Sequence, residues 1–70
     1  MIDHYDIETR FTYYPPKGDQ AKRYEKIRAL GYNLAERLNE LCPDSREKSI
    51  AITKLEESIM WANAAIARNE

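Results

Sequence analysis

Cysteine and histidine each occur once in these 70 residues, as Cys42 and His4. A single cysteine excludes an intrachain disulfide, and with one histidine far away in sequence it makes no recognisable metal set. No metal or cofactor is expected. Nor is there a serine–histidine–aspartate or cysteine–histidine relay with plausible spacing. Glu56 and Glu57 adjoin, but neighbouring helical positions point about 100° apart, so they form no carboxylate dyad. Cys42 precedes Pro43 at an expected helix end, away from the helix N-terminus at which reactive cysteines are activated. It reads as structural, and the chain does not read as an enzyme.

Long apolar runs are also lacking. Nothing approaches the roughly 18 residues needed to span a bilayer, so no membrane association is expected. The opening Met1-Ile2-Asp3-His4-Tyr5-Asp6 lacks the basic-then-apolar order of an export signal. With a free cysteine, this suggests a reducing, cytoplasmic setting. The net charge of −1 lacks the basic surplus of a general nucleic-acid binder, so DNA is not an expected partner. That charge is unevenly spread. Between Lys17 and Arg28 stand Lys17, Lys22, Arg23, Lys26 and Arg28 against only Asp19 and Glu25. A local basic segment in a mildly acidic chain suits a small anion better than a polyanion, although a solvated helix face has the same composition.

What is present describes a foldable single domain, 43% hydrophobic and 33% charged. At this length one core rarely supplies more than about 3–5 kcal/mol without disulfides, metal or oligomerisation. With the first two excluded, oligomerisation remains.

The expected fold is all-α: an antiparallel helical hairpin over residues 19–70, preceded by an N-terminal arm over residues 1–18. Asp3 to Thr9 could form a short helix. Arg10-Phe11-Thr12-Tyr13-Tyr14 reads as extended, because Pro15 disfavours helical geometry at Tyr14 and Pro15-Pro16 favours a polyproline-like chain. Lys17-Gly18-Asp19 is a turn. Asp19 is the expected N-cap of a helix over about Gln20 to Leu41. Its seam is Tyr24, Ile27, Gly31, Leu34, Leu38 and Leu41, at heptad-like spacing. Gly31 within it either permits close approach of another helix, marks a bend, or is simply tolerated at a cost of roughly 1 kcal/mol.

Pro43 ends that helix, and Asp44 followed by Glu47 resembles a capping box for the next, about Ser45 to Ala67. So short a connection makes the helices antiparallel neighbours. The second helix carries a stripe of Ile52, Leu55, Ile59, Ala62 and Ile66 to pack on the first. Ile50 and Trp61 lie roughly opposite, with Ala64, Ala65 and Arg68 nearby. A second apolar face of this kind suits a partner helix.

The remaining chemistry is recognition. Phe11, Tyr13 and Tyr14 offer flat surfaces able to stack on nucleobases, or they anchor the arm on the hairpin. Lys26, Arg28 and Arg68 could meet phosphates through charge-assisted hydrogen bonds. Lys26 and Arg28 lie about 160° apart around their helix, so one pocket of one chain cannot hold both.

The arm Arg10-Phe11-Thr12-Tyr13-Tyr14-Pro15-Pro16-Lys17, the Arg23-Tyr24 and Ile27-Arg28 pairs, the Cys42-Pro43-Asp44-Ser45-Arg46-Glu47 turn and the tail from Met60 to Asn69 resemble phage anti-CBASS proteins. These are small sponges whose helical-hairpin domain also occurs in phage anti-Thoeris proteins. The resemblance covers roughly residues 10–70. It implies a helical homohexamer, in the cytoplasm of the infected bacterial host, that sequesters cyclic dinucleotides such as 3′,3′-cGAMP and, at separate pockets, cyclic trinucleotides, without cleaving them. By that resemblance Tyr13, with Tyr14 beside it, takes the base-stacking role. Lys26 or Arg28 takes the phosphate role, and Arg68 serves the trinucleotide site. The doubled Tyr13-Tyr14 departs from the family's usual arm, and with the chain ending at Glu70 the larger anti-Thoeris-type domain with its cyclic ADP-ribose site is not expected. The competing expectation is a helical-hairpin module that docks on a host protein through Ile50 and Trp61.

Overall fold

The computed structural model describes residues 3–70. It contains three helices, α1 over His4–Phe11, α2 over Gln20–Leu41 and α3 over Arg46–Asn69, and no strand among the described residues. The bounds of α2 coincide with those expected from periodicity. Helix α1 runs two residues further than expected, taking in Arg10 and Phe11. The extended segment begins at Thr12, whose hydroxyl donates to the Glu8 carbonyl while its own backbone is extended. Local chemistry explains the short helix: Asp3 stands at its N-cap, Asp6 in its first turn and Arg10 in its last, each sign suited to the helix dipole.

The turn into α2 depends on Gly18, the one residue at positive φ (+58°) among those described. Nothing lies within 4 Å of where a Cβ would be, so the requirement for glycine here is one of backbone geometry alone. Asp19 occupies the N-cap position of α2 but makes no side-chain capping bond. Its carboxylate turns to Arg23 instead, at 3.3 Å.

Helices α2 and α3 pack on each other as an antiparallel hairpin. The turn between them differs from the expected capping box. Ser45, not Asp44, caps α3, its Oγ accepting from Lys48 N at 3.1 Å. The serine hydroxyl in turn donates to the Pro43 carbonyl at 3.0 Å. Asp44 lies one residue too early to reach the N3 amide and pairs with Lys48 Nζ at 2.6 Å. That ammonium also donates to the Asn39 carbonyl at 3.1 Å and lies 3.5 Å from that of Cys42. The last turn of α2 contains no basic residue, so α3 supplies the cation that its carbonyl end favours. The Lys48 side chain is only 13% exposed as a result.

Helix α3 packs through the expected stripe: Ile52, Leu55, Ile59, Ala62 and Ile66 are all half-buried. The seam of α2 is partly revised. Tyr24, Ile27, Gly31 and Leu38 face the hairpin, but Leu34 and Leu41 are 48% and 79% exposed. Ala35 and Cys42 take the inward places. The cause is the 3.6-residue turn: a strict heptad seam drifts about 20° per repeat on a straight helix, leaving Leu34 and Leu41 on its flank. Gly31 is buried, and a Cβ added there would lie 2.7 Å from Ile59 Cγ1 and 2.8 Å from its Cδ1. The glycine therefore sets how closely the two helices approach.

The chain measures 44 × 35 × 13 Å between Cα extremes, with a radius of gyration of 15.3 Å. A compact domain of this length would have about 11 Å. With Cα cylinders about 4.6 Å across and axes about 8–10 Å apart, a Cα thickness of 13 Å is about that of two packed helices, and only α2 and α3 pack broadly on each other. Consistently, no hydrophobic residue among those described is fully buried.

Two outcomes follow for stability. Gly31→Ala is expected to lower Tm although alanine gains about 1 kcal/mol of helix propensity, and to raise it in an Ile59→Ala background. A rise in both backgrounds would show that the Ile59 contact is not limiting. Lys48→Ala should lower Tm by about 4–8 °C, the shift that ~1 kcal/mol gives in a domain of this size; an unchanged melting curve would contradict the role of Lys48 in the turn.

Candidate functional site

The open end of the hairpin, opposite the Pro43 turn, receives the extended arm. Tyr14 is half-buried and its hydroxyl donates to the Thr9 carbonyl at 2.9 Å, fixing the ring between α1 and the hairpin. Cavities open on both sides of this residue. One, of about 540 Å³, is lined by Tyr14, Pro15, Lys17, Gln20, Arg68 and Glu70 among others. The second, of about 330 Å³, is lined by Tyr14, Tyr24, Arg28, Asn63, Ala64 and Ala67. A third, largely apolar groove of about 420 Å³ runs between α2 and α3 past Arg28, Gly31, Tyr32 and Ile59.

Of the residues expected to bind ligand, Tyr14 therefore joins two cavities, with Arg68 in one and Arg28 in the other. Tyr13 is 78% exposed and Lys26 is exposed, and neither lines any of these three cavities. Arg28 and Lys26 point to different sides of α2, as their angular spacing requires.

The cations of the basic segment differ in their engagement. Arg23 forks onto the Glu70 carboxylate, with Nη1 to Oε2 at 2.9 Å and Nη2 to Oε1. Gln20 Nε2 donates to the same Oε1 at 3.2 Å, and Lys17 Nζ to the Glu70 main-chain oxygen. Gln20, 4% exposed, also accepts from Lys17 N at 3.1 Å. Residues far apart in sequence thus clasp the arm and α2 to the end of α3. The hydrogen bonds from Arg23, then from Gln20, hold the Glu70 carboxyl down at about 2, and the same pairing raises the Arg23 guanidinium pKa.

Arg28 and Arg68, by contrast, enter no ion pair among the described residues. Arg68 lies over the Trp61 ring, 5.8 Å from its centroid, a contact available to residues two turns apart on one face. Asn63 Oδ1 is buried without a hydrogen-bond partner and lines the cavity of Tyr24 and Arg28. Sequence reasoning did not single out Asn63, Gln20, Arg23 or Glu70 as site residues. Arg23 and Glu70 are 47 positions apart, and no local pattern announces such a pair.

The fold and its open end define a helical-hairpin protein with aromatic and cationic cavities. The family model described as Acb2/Tad1, hairpin domain, matches residues 3–67, and the chain belongs to that family of anti-CBASS and anti-Thoeris sponges. It is a family of binding proteins, and it points to a phage sponge for cyclic oligonucleotides. No curated protein and no solved structure matched the chain. Among the described residues, no helix is long and apolar enough to cross a membrane.

The clasp makes stability depend on pH with a defined sign. Because Glu70 titrates at about 2 when folded against an ordinary 4.5, its contribution is fully present above pH 4.5. It is lost as pH falls from there through 2. Thermal melting across pH should show wild type above Glu70→Gln at neutral pH, the gap closing between pH 4.5 and 2. A gap that persisted at pH 2 would locate the effect of the substitution elsewhere.

Proposed function

We propose that this protein is a phage anti-immunity sponge that binds cyclic oligonucleotide second messengers in the cytoplasm of an infected bacterium. By holding 3′,3′-cGAMP, related cyclic dinucleotides and cyclic trinucleotides, it keeps CBASS effectors inactive, and it releases its ligands uncleaved. The observation that carries this reading is the position of Tyr14 between two cavities, each holding a guanidinium in no ion pair among the described residues. Aromatic faces take bases, worth about 1–3 kcal/mol each by truncation. Guanidinium groups take phosphodiester oxygens in charge-assisted, often bidentate bonds. A sponge requires affinity without turnover, and cations with aromatic platforms supply that.

Assembly completes the proposal. Two helices that pack mainly on each other leave their outer sides open, and Leu30, Leu34, Leu41, Met60 and Trp61 are exposed there. A homohexamer would cover such faces and bring Tyr13 and Lys26 against neighbouring copies, where they would complete pockets with Tyr14, Arg28 and Arg68. Cyclic dinucleotides have two-fold or pseudo-two-fold symmetry, which suits pockets on an oligomer's two-fold axes. In this arrangement residues 1–18 act as a ligand-contacting arm and residues 19–70 as the hairpin that assembles.

A second reading is favoured by the exposure of Ile50 and Trp61 on α3, the latter 60% exposed: a hairpin module that docks on a host protein. Light scattering separates the two. A monomer at micromolar concentration supports docking, and a hexamer supports the sponge.

In the sponge, 3′,3′-cGAMP should raise Tm and be recovered intact after heating. Tyr13→Ala should weaken cyclic dinucleotide binding about 10-fold or more, and Arg68→Ala should chiefly affect cyclic trinucleotides. No calorimetric heat and no Tm shift with either class would overturn the reading, and equal loss of both ligands in the two variants would overturn separate pockets.

A further inference from the structure

The Glu70 clasp has the donor set of an oxyanion site with a side chain of the protein itself in the anion's place. Three donors from the arm and the first turn of α2 converge on Glu70: the Arg23 fork, Gln20 Nε2 and Lys17 Nζ. Gln20 is buried to 4% exposure and is itself held by the Lys17 amide, so its donor is preorganised rather than adventitious. Arg23 Nε is buried with no hydrogen-bond partner, leaving a further donor on the same guanidinium. The clasp also borders the 540 Å³ cavity, whose other walls are Tyr14, Pro15 and Arg68.

Two observations mark the carboxylate as a replaceable occupant. Glu70 is the C-cap of α3, at the carbonyl end of a helix, where negative charge is disfavoured and only nearby cations offset it. Its geometry is also an incomplete match. The two carboxylate oxygens engage Arg23 and Gln20, whereas Lys17 Nζ reaches only the main-chain oxygen. A phosphate monoester or free phosphate presents at least three oxygens and close to two negative charges near neutral pH. It could engage Arg23, Gln20 and Lys17 together.

We propose that Lys17, Gln20 and Arg23 form a phosphate-monoester site that Glu70 occupies in the unliganded chain. The dianion displaces the carboxylate, and the end of α3 is released from the arm as it binds. This site is distinct from the free guanidinium groups of Arg28 and Arg68, and it does not require the sponge reading to hold.

Calorimetry with inorganic phosphate, and in parallel with adenosine monophosphate, tests it on the full chain. Glu70→Gln, which removes the competing charge, should bind both probes at least ~10-fold more tightly than wild type, a difference of about 1.4 kcal/mol. Adding Arg23→Gln should abolish the gain. Glu70→Asp loosens the clasp but keeps the charge and should show no comparable gain. A stronger response to adenosine monophosphate would identify a nucleotide's terminal phosphate as the ligand, and an equal response free phosphate; both support the site. In wild type, the Arg23 Nε–H resonance should shift at high phosphate while that of Arg37, on the exposed side of α2, stays fixed. Equal binding by folded Glu70→Gln and wild type would overturn the proposal. So would a gain as large in Glu70→Asp, or an unmoved Arg23 resonance.

Discussion

A fold whose packing is one pair of long helices governs most of what this molecule can be. In a two-layer domain each helix has a covered and an open side, and side chains between the layers are enclosed. Here α2 and α3 pack mainly on each other, so even Ile59 and Leu38, on the contact line, remain half-exposed. The one place where the pair closes fully is Gly31, whose missing Cβ admits Ile59. Close approach there keeps the pair together without bulk between the helices, and it leaves large apolar residues on the flanks.

The same constraint shapes the cavities. A pocket in a thick domain is dug into a core; in a single helix pair it can only be a gap along an edge or a groove between neighbours. Both kinds occur here, the groove between α2 and α3 and the paired gaps beside Tyr14. Cavities of this kind leave part of anything bound in them uncovered by this chain.

How much of this was legible in the sequence varied with the range of the interactions. The extent of α2, from Gln20 to Leu41, and the inward stripe of α3 follow from short-range periodicity and were readable. The phase of the α2 seam was not: heptad counting placed Leu34 and Leu41 inward, while the geometry of a straight helix gave those places to Ala35 and Cys42. The cap of α3 moved by one residue because Ser45 reaches the N3 amide and Asp44 is held by Lys48. Of the residues singled out by type and position, Tyr14, Arg28 and Arg68 line the cavities beside the arm. Gln20, Arg23 and Glu70 were not singled out, because their contacts arise only when the two ends of the hairpin chain meet.

The basic segment shows why composition alone gave only part of the answer. From Lys17 to Arg28 its cations look equivalent in sequence, yet the fold divides them. Lys17 and Arg23 are drawn to Glu70 and hold the arm in place. Arg28 enters no ion pair among the described residues and lines a cavity with Tyr24 and Asn63. An arm must be anchored before an aromatic residue on it can present a fixed face, and here Glu70 supplies the counter-charge for that anchoring. A surplus of three charges thus resolves into cations that anchor the arm carrying Tyr14 and an Arg28 that lines the cavity beside it. The acid that performs the division comes from α3's end, so one side chain both anchors the arm and decides which cations of the basic segment are paired.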